Sequence, residues 1–152
     1  MYKKILLPTD GSELAGAAAK AGIDFAAICG ADVIGLYVAP EYQYPVSVEI
    51  IPPTYPTEEE YLARTCETGD VYLADVRSAA IGHGLKYTGI TAYSNKPAQK
   101  IVQVAQEQDC DLIFMGSHGH SGLKQLLVGS VTSRVLSLCE IPVLVYRKKE
   151  LR

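Results

Sequence analysis

Short apolar runs alternate with helical segments along nearly the whole chain, and this alternation most limits the folds open to it. The second run is apolar almost throughout, which predicts a strand covered on both faces. The predicted strands are residues 2–8, 32–39, 86–93, 111–115 and 141–146. Strands and helices in regular alternation predict an α/β fold, a single-domain open, doubly wound sheet of five parallel strands with helices on both faces.

Four helices are predicted between these strands. Ser12 caps the first, which is rich in alanine and ends at Gly30, and Thr57 opens the second, which runs to about Gly82 or Gly84. The third begins at Ser94 or Asn95, carries Pro97 in its first turn and ends near Gln108, and the fourth covers residues 130–139. Residues 40–56 hold five of the eight prolines, so they predict a loop.

A glycine-rich run joins the fourth predicted strand to the fourth helix. It contains Gly116, Gly119 and Gly129, and Ser130 follows at the predicted start of the helix. Glycine has no Cβ, so backbone amides there can approach a ligand closely, and a helix N-terminus adds unpaired N–H groups. Strand, glycine loop and helix start together predict a cradle for an anion such as phosphate.

Length and composition limit the number of domains, the possible partners and the expected location of the protein. The 152 residues fit one domain, with an apolar fraction of 48% and a net charge of -3. No basic stripe indicates nucleic acid, no apolar run is long enough to span a membrane, and no signal peptide is recognised, so we expect a cytoplasmic protein. Cys29, Cys66, Cys110 and Cys139 are far apart in sequence and are expected to be reduced, small apolar residues.

The glycine spacing, G-x-x-G, nine residues and then G-S, resembles the ATP-binding motif of the universal stress protein family. Residues 1–12 resemble the family's first strand and turn, and the run that begins at Ile141 and ends at Tyr146 resembles its last strand. The resemblance implies strand order 3-2-1-4-5, an adenine nucleotide such as ATP with magnesium, and a homodimer that pairs through the last strand. We expect a proline at Leu144 to remove a central donor from that pairing.

The implied strand order places the ligand in the crevice between the first and fourth strands. The resemblance assigns the nucleotide to the ends of strands and to the glycine run. Asp10 either caps its own turn or lies against the nucleoside, while Val38 reads the adenine edge through its main chain. The full set of implied nucleotide-binding residues is Pro8, Thr9, Asp10, Val38, Met115, Gly116, His118, Gly119, Gly129, Ser130 and Val131.

Catalytic signatures are missing from the sequence. It contains no classical P-loop, no dinucleotide fingerprint and no nucleophile elbow. His118 and His120, with no carboxylate or cysteine close to them in sequence, make a poor metal site. A nucleotide-binding stress-response protein, acting as a homodimeric sensor or regulator and not as an enzyme, is therefore favoured. A slow ATP hydrolase or nucleotidyl-transfer enzyme on the same sheet, or a module that has lost its nucleotide, stays open. The loop at residues 40–56 either folds over the nucleotide or crosses the surface.

Overall fold

The computed structural model describes residues 1–46, 49–118 and 128–148. Five strands and four helices alternate along these residues, as the sequence predicts. In chain order they are β1 (Lys4–Pro8), α1 (Glu13–Cys29), β2 (Asp32–Ala39), α2 (Glu58–Gly82), β3 (Tyr87–Tyr93), α3 (Pro97–Glu107), β4 (Leu112–Gly116), α4 (Ser130–Leu138) and β5 (Val143–Tyr146).

The strands form one parallel sheet in the order β3-β2-β1-β4-β5, which confirms the predicted topology. β1 therefore lies at the centre, and β3 and β5 lie at the two edges. The chain moves outward from β1 in one direction through β2 and β3. It then crosses back to continue on the other side through β4 and β5, so the order reverses between β1 and β4.

Two apolar cores lie on opposite faces of the sheet. On one face, α1 and α2 cover Ile5, Leu7, Val33 and Phe114. On the other face, α3 and α4 cover the alternate residues of the same strands, among them Leu6. Because successive strand residues point to opposite faces, one apolar run supplies both cores. This explains why the strands read as continuous apolar segments.

The helix ends follow the predicted capping with two exceptions. Ser12 and Thr57 cap α1 and α2 through their hydroxyl groups, and Gly30 ends α1 in the left-handed conformation, with φ +65°. The N-cap of α3 is Lys96 and that of α4 is Gly129, and neither of these residues caps its helix through a side chain. The sequence placed the start of α3 two or three residues early, because Pro97 takes the first helical position, where a missing backbone N–H costs no helical hydrogen bond.

The loop between β2 and α2 is held by tyrosine hydroxyl groups. Tyr42 donates to the carbonyl of Pro56 at 2.7 Å, and Tyr61 of α2 donates to the carbonyl of Pro40 at 2.6 Å. The backbone N–H of Glu41 donates to the Asn95 side chain at 3.1 Å. These contacts tie the described part of the loop to the start of α2 and to the turn before α3. Closure over a ligand stays a prediction.

The cysteines and the helix lengths complete the description. All four cysteines are free thiols, as expected. Cys110 is buried, which raises the pKa of its thiol to about 11, whereas Cys66 is exposed on α2. Among the described residues, no helix is long and apolar enough to cross a membrane.

Tyr87 gives the fold a testable feature. Its hydroxyl is buried beneath α2 without a hydrogen-bond partner among the described residues, and burial is the main cause that raises its pKa. Replacing it with phenylalanine removes an unsatisfied polar group while keeping the ring. We expect Tyr87→Phe to stabilise the fold by about 1 kcal/mol in urea unfolding at neutral pH. A loss of stability would show that the hydroxyl has a partner.

Candidate functional site

A crevice opens where β1 and β4 separate. The two strands pair at Ile5 with Leu112 and at Leu6 with Ile113, whereas β1 stays paired with β2 as far as Pro8. β4 likewise stays paired with β5 to its last residue, Gly116. The carboxyl ends of the two central strands therefore diverge at the reversal of strand order, which is where open α/β sheets bind their ligands.

One wall of the crevice is the turn between β1 and α1. Thr9 is buried, and its N–H donates to the carbonyl of Leu36 at 2.8 Å, which ties the turn to β2. Its hydroxyl accepts from the N–H of Gly11 at 3.2 Å, and the carboxylate of Asp10 accepts from the N–H of Ser12 at 3.0 Å. Asp10 thus fills its expected role in capping the turn. Its second expected role, against a nucleoside, stays a prediction.

The opposite wall is the end of β4 and the start of α4. The N–H of Gly129 donates to the carbonyl of Ser117 at 2.6 Å, so the two ends of the glycine-rich segment meet. The buried hydroxyl of Thr132 donates to the carbonyl of Gly116 at 2.8 Å. The hydroxyl of Ser117 lies 3.1 Å from Nδ1 of His118. Together these contacts fix the first turn of α4 to the end of β4.

Gly129 is required by close packing and not by an unusual backbone angle. Its φ is -70°, a value that any residue adopts, so the backbone angle does not require glycine here. A Cβ there would lie 3.0 Å from the carbonyl oxygen of Ser117 and 3.2 Å from Cα of His118. Any side chain would therefore push the start of α4 away from β4.

The N-terminus of α4 points its dipole into the same region. Ser130 is the first residue of the helix, as the sequence predicts, and it is exposed. The N-cap residue is Gly129, which has no side chain with which to cap the first turn. A helix start carries N–H groups that the helix itself leaves unpaired and a partial positive charge, which suits an anion. The exposed hydroxyl of Ser130 stands beside it.

The remaining predicted residues lie around these two walls. Pro8 ends β1, and Val38 is a half-buried residue near the end of β2 that packs on the α3 side of the sheet. Met115 is buried in the same core, and Val131 packs against it from α4. Gly116 faces α1, because a Cβ there would lie 3.5 Å from Cγ of Leu14. Gly119, together with His120, lies outside the described residues.

Two residues that hold the site together were missed from the sequence. Ser117 and Thr132 are both buried polar residues, and they connect β4 with α4. The spacing of a serine after Gly116 and a threonine after Gly129 gave no signal, because both look like ordinary residues of a loop and a helix. Only the fold brings them together.

An ion pair lies near the α1 side of the site. The ammonium of Lys148, which follows β5, donates to the carboxylate of Glu13 in the first turn of α1 at 2.5 Å. This hydrogen bond and the positive charge of Lys148 hold the pKa of the Glu13 carboxyl below its usual value. Both side chains are largely exposed, so the pair adds little to stability. Among the described residues, no three metal-ligating groups cluster.

A second hollow lies at the opposite edge of the sheet, between Lys4, Asp32, Lys86, Thr88 and Gln108. Its lysines already have partners: Lys4 donates to the carbonyl of Gln108 at 2.9 Å, and the ammonium of Lys86 lies 4.0 Å from the carboxylate of Asp32. The amino ends of the strands meet here, which is the wrong edge for a ligand of this fold class. The crevice is therefore the better candidate.

Comparison with known sequences agrees with the family resemblance noted from the glycine spacing. The model of the universal stress protein family matches residues 1–147. Universal stress protein MJ0531 of Methanocaldococcus jannaschii is 36% identical over 148 residues, which cover 97% of this chain and 84% of that protein. Universal stress protein MJ0577 of the same organism is 32% identical over 158 residues and covers 98% and 97%. The chain belongs to the universal stress protein family.

Solved structures agree with the fold. The structure of MJ0577 superposes with a TM-score of 0.82 at 34% identity, and the match covers 99% of both chains. A universal stress protein in complex with cAMP gives a TM-score of 0.68 at 20% identity, covering 97% of this chain and 98% of that one. The universal stress protein from Archaeoglobus fulgidus in complex with dAMP gives 0.65 at 20%, covering 96% and 98%. At 20% identity, these last two similarities support the fold alone.

Proposed function

We propose that this protein binds an adenine nucleotide, ATP with magnesium, in the crevice between β1 and β4, and that it acts as a homodimeric sensor or regulator in the cytoplasm. The observation that carries the proposal is the start of α4, whose N-cap residue Gly129 has no side chain to occupy the helix N–H groups, fixed beside the separated ends of the two central strands. A phosphate group supplies the negative charge that such a helix start favours.

The residues present suit each part of a nucleotide. Gly129 packs closely on Ser117 and His118, which sets the start of α4 beside the end of β4, and Ser130 adds a hydroxyl and a helix-start N–H for phosphate oxygens. We assign Asp10, which its own turn holds at the end of β1, to the ribose. We assign the main chain near Val38 to the base. Magnesium would accompany the phosphates and neutralise part of their charge.

An adenine base is supported by the family and by two of its structures. One family member of known structure is complexed with cAMP and another with dAMP, both of which carry adenine. Both of those ligands carry a single phosphate, whereas the glycine spacing of this chain resembles the motif that binds ATP. We therefore expect ATP to bind more tightly than GTP, because backbone groups read the base edge.

Binding without rapid turnover is the second part of the proposal. Its support is the sequence, which carries none of the common catalytic signatures for hydrolysis or transfer. Phosphoryl transfer needs a group that orients the attacking water or hydroxyl beside the last phosphate. We expect bound ATP to persist and its occupancy to be the signal.

The homodimer is the third part. β5 is an edge strand of four apolar or aromatic residues, all half-buried, and an apolar edge invites pairing with another chain. Pro142 and Tyr146 direct their carbonyl groups to β4, accepting from Ile113 and Ser117. Because backbone groups of successive residues point to alternate sides, Leu144 also faces β4, while Val143 and Val145 face the open edge. A proline at Leu144 would therefore damage the sheet itself, contrary to the sequence-based expectation.

Nucleotide binding is tested with protein stripped of ligand. At about 100 times the dissociation constant, Mg-ATP should stabilise the fold by roughly 2.7 kcal/mol, seen as a rise of several degrees in Tm. Gly129→Val should abolish this rise, because its side chain displaces α4 from the carbonyl of Ser117. Gly16→Val is the matched control, since a Cβ at Gly16 meets nothing within 4 Å. Equal ATP affinity in both variants would contradict the location of the cradle.

A proline at a residue whose N–H faces the open edge of β5 tests the dimer. Val145→Pro should remove an N–H from the open edge and shift the mass in solution toward the monomer, as measured by light scattering at tens of micromolar. Val145→Thr, which keeps the N–H and the branched shape, should stay dimeric. A wild-type protein that is already monomeric at this concentration would overturn the assignment.

A further inference from the structure

The turn that carries Asp10 is covered by an aromatic ring from α2. Gly11 has a φ of +78°, in the left-handed region, and a Cβ placed on it would lie 2.5 Å from Cζ of Tyr72 and 2.6 Å from Cδ1. The ring of Tyr72 therefore lies against the bare backbone of Gly11. Two requirements coincide at this one position: a backbone angle that favours glycine, and a ring that leaves no space for a side chain.

The ring of Tyr72 packs in turn on a second tyrosine, Tyr37 of β2. Its ring meets the ring of Tyr37 edge to face, with centroids 5.1 Å apart and an angle of 86° between the planes. Tyr37 lies on β2 beneath Gly69, where a Cβ would lie 3.1 Å from Cδ1 of Tyr37. Gly69 thus lets α2 approach the sheet closely, and Tyr72, three residues further along, lies on the same side of the helix.

Asp10 lies in the same environment. Burial is the main cause that raises the pKa of Tyr37, and the negative charges that add to it include that of Asp10. The carboxylate of Asp10 also accepts the N–H of Ser12, on the far side of Gly11. The residue that Tyr72 covers is therefore the central residue of the turn that directs this carboxylate.

We propose that Tyr72 is a positioning residue for the nucleotide: by packing on Gly11 it holds the Asp10–Gly11 turn in its binding geometry before the nucleotide arrives. This inference rests on the proposed function. A turn that is already ordered loses less conformational freedom when the nucleotide binds. Part of the affinity for the nucleotide therefore depends on the ring of Tyr72, which acts through the turn. Nothing in the sequence alone indicates this role, since Tyr72 is one of ten tyrosines and lies on a long, polar helix.

The test compares three variants by calorimetric titration with Mg-ATP and by amide exchange of the ligand-free protein. Tyr72→Ala should weaken ATP binding about tenfold and speed exchange at Gly11 and Ser12, because the turn must be ordered on binding. Tyr72→Phe should restore both properties, since it keeps the ring. Leu73→Ala is the matched control: its buried side chain faces Gly35 and Gly89 and not the turn, so it should lower Tm without changing affinity or turn exchange.

The outcomes separate the two proposals. If the wild type binds ATP and Tyr72→Ala binds it equally well, the positioning role is overturned and the proposed function stands. If the wild type binds no adenine nucleotide, the proposed function falls, and the affinity effect of Tyr72 falls with it. Unchanged exchange at Gly11 and Ser12 in Tyr72→Ala would overturn the ordering of the turn in either case. A loss of affinity in Leu73→Ala equal to that in Tyr72→Ala would also overturn it.

Discussion

The packing of β1 between β2 and β4 is the constraint on which the rest of the structure depends. Ile5, Leu6 and Leu7 are fully buried, and they supply both cores of the sheet in turn. Full burial of a side chain of this size contributes about 1.5–3 kcal/mol, so three consecutive residues anchor both layers of helices. The same strand sets the site, because its pairing with β4 stops at Leu6 while its pairing with β2 continues. The crevice exists where the central strand loses one neighbour.

The site is completed by short-range contacts that join separate elements. The carbonyl groups of Gly116 and Ser117 accept from Thr132 and Gly129, which fastens the start of α4 to the end of β4. On the other side, Thr9 fastens the turn after β1 to β2. An anion site needs N–H groups that are already oriented, and these two contacts fix the start of α4 without involving a backbone N–H of residues 130–132. Both walls of the crevice are therefore fixed to the sheet by hydrogen bonds.

The sequence predicted the parts of this structure that depend on local pattern. The apolar runs predicted the strands, and the caps at Ser12 and Thr57 and the glycine at Gly30 predicted the ends of α1 and α2, because each acts within one turn of its own position. The resemblance supplied the strand order, which periodicity alone does not determine. The sequence did not reveal the roles of Ser117, Thr132 and Tyr72, since each acts on a residue that only the fold brings near. It also misassigned the open-edge role of Leu144, because that role depends on the register of one residue.

The location of the nucleotide is the central claim, and amide chemical-shift mapping tests it most directly. In ¹⁵N-labelled protein stripped of ligand, Mg-ATP should shift the backbone amides of the turn from Thr9 to Ser12, of Val38 and of the first turn of α4. These groups lie at or just beyond the carboxyl ends of β1, β2 and β4, where the proposal locates the nucleotide. Amides around the hollow between Lys4, Asp32 and Lys86, at the opposite edge of the sheet, should not move. Saturable shifts confined to that hollow, or none at millimolar ATP, would contradict the account.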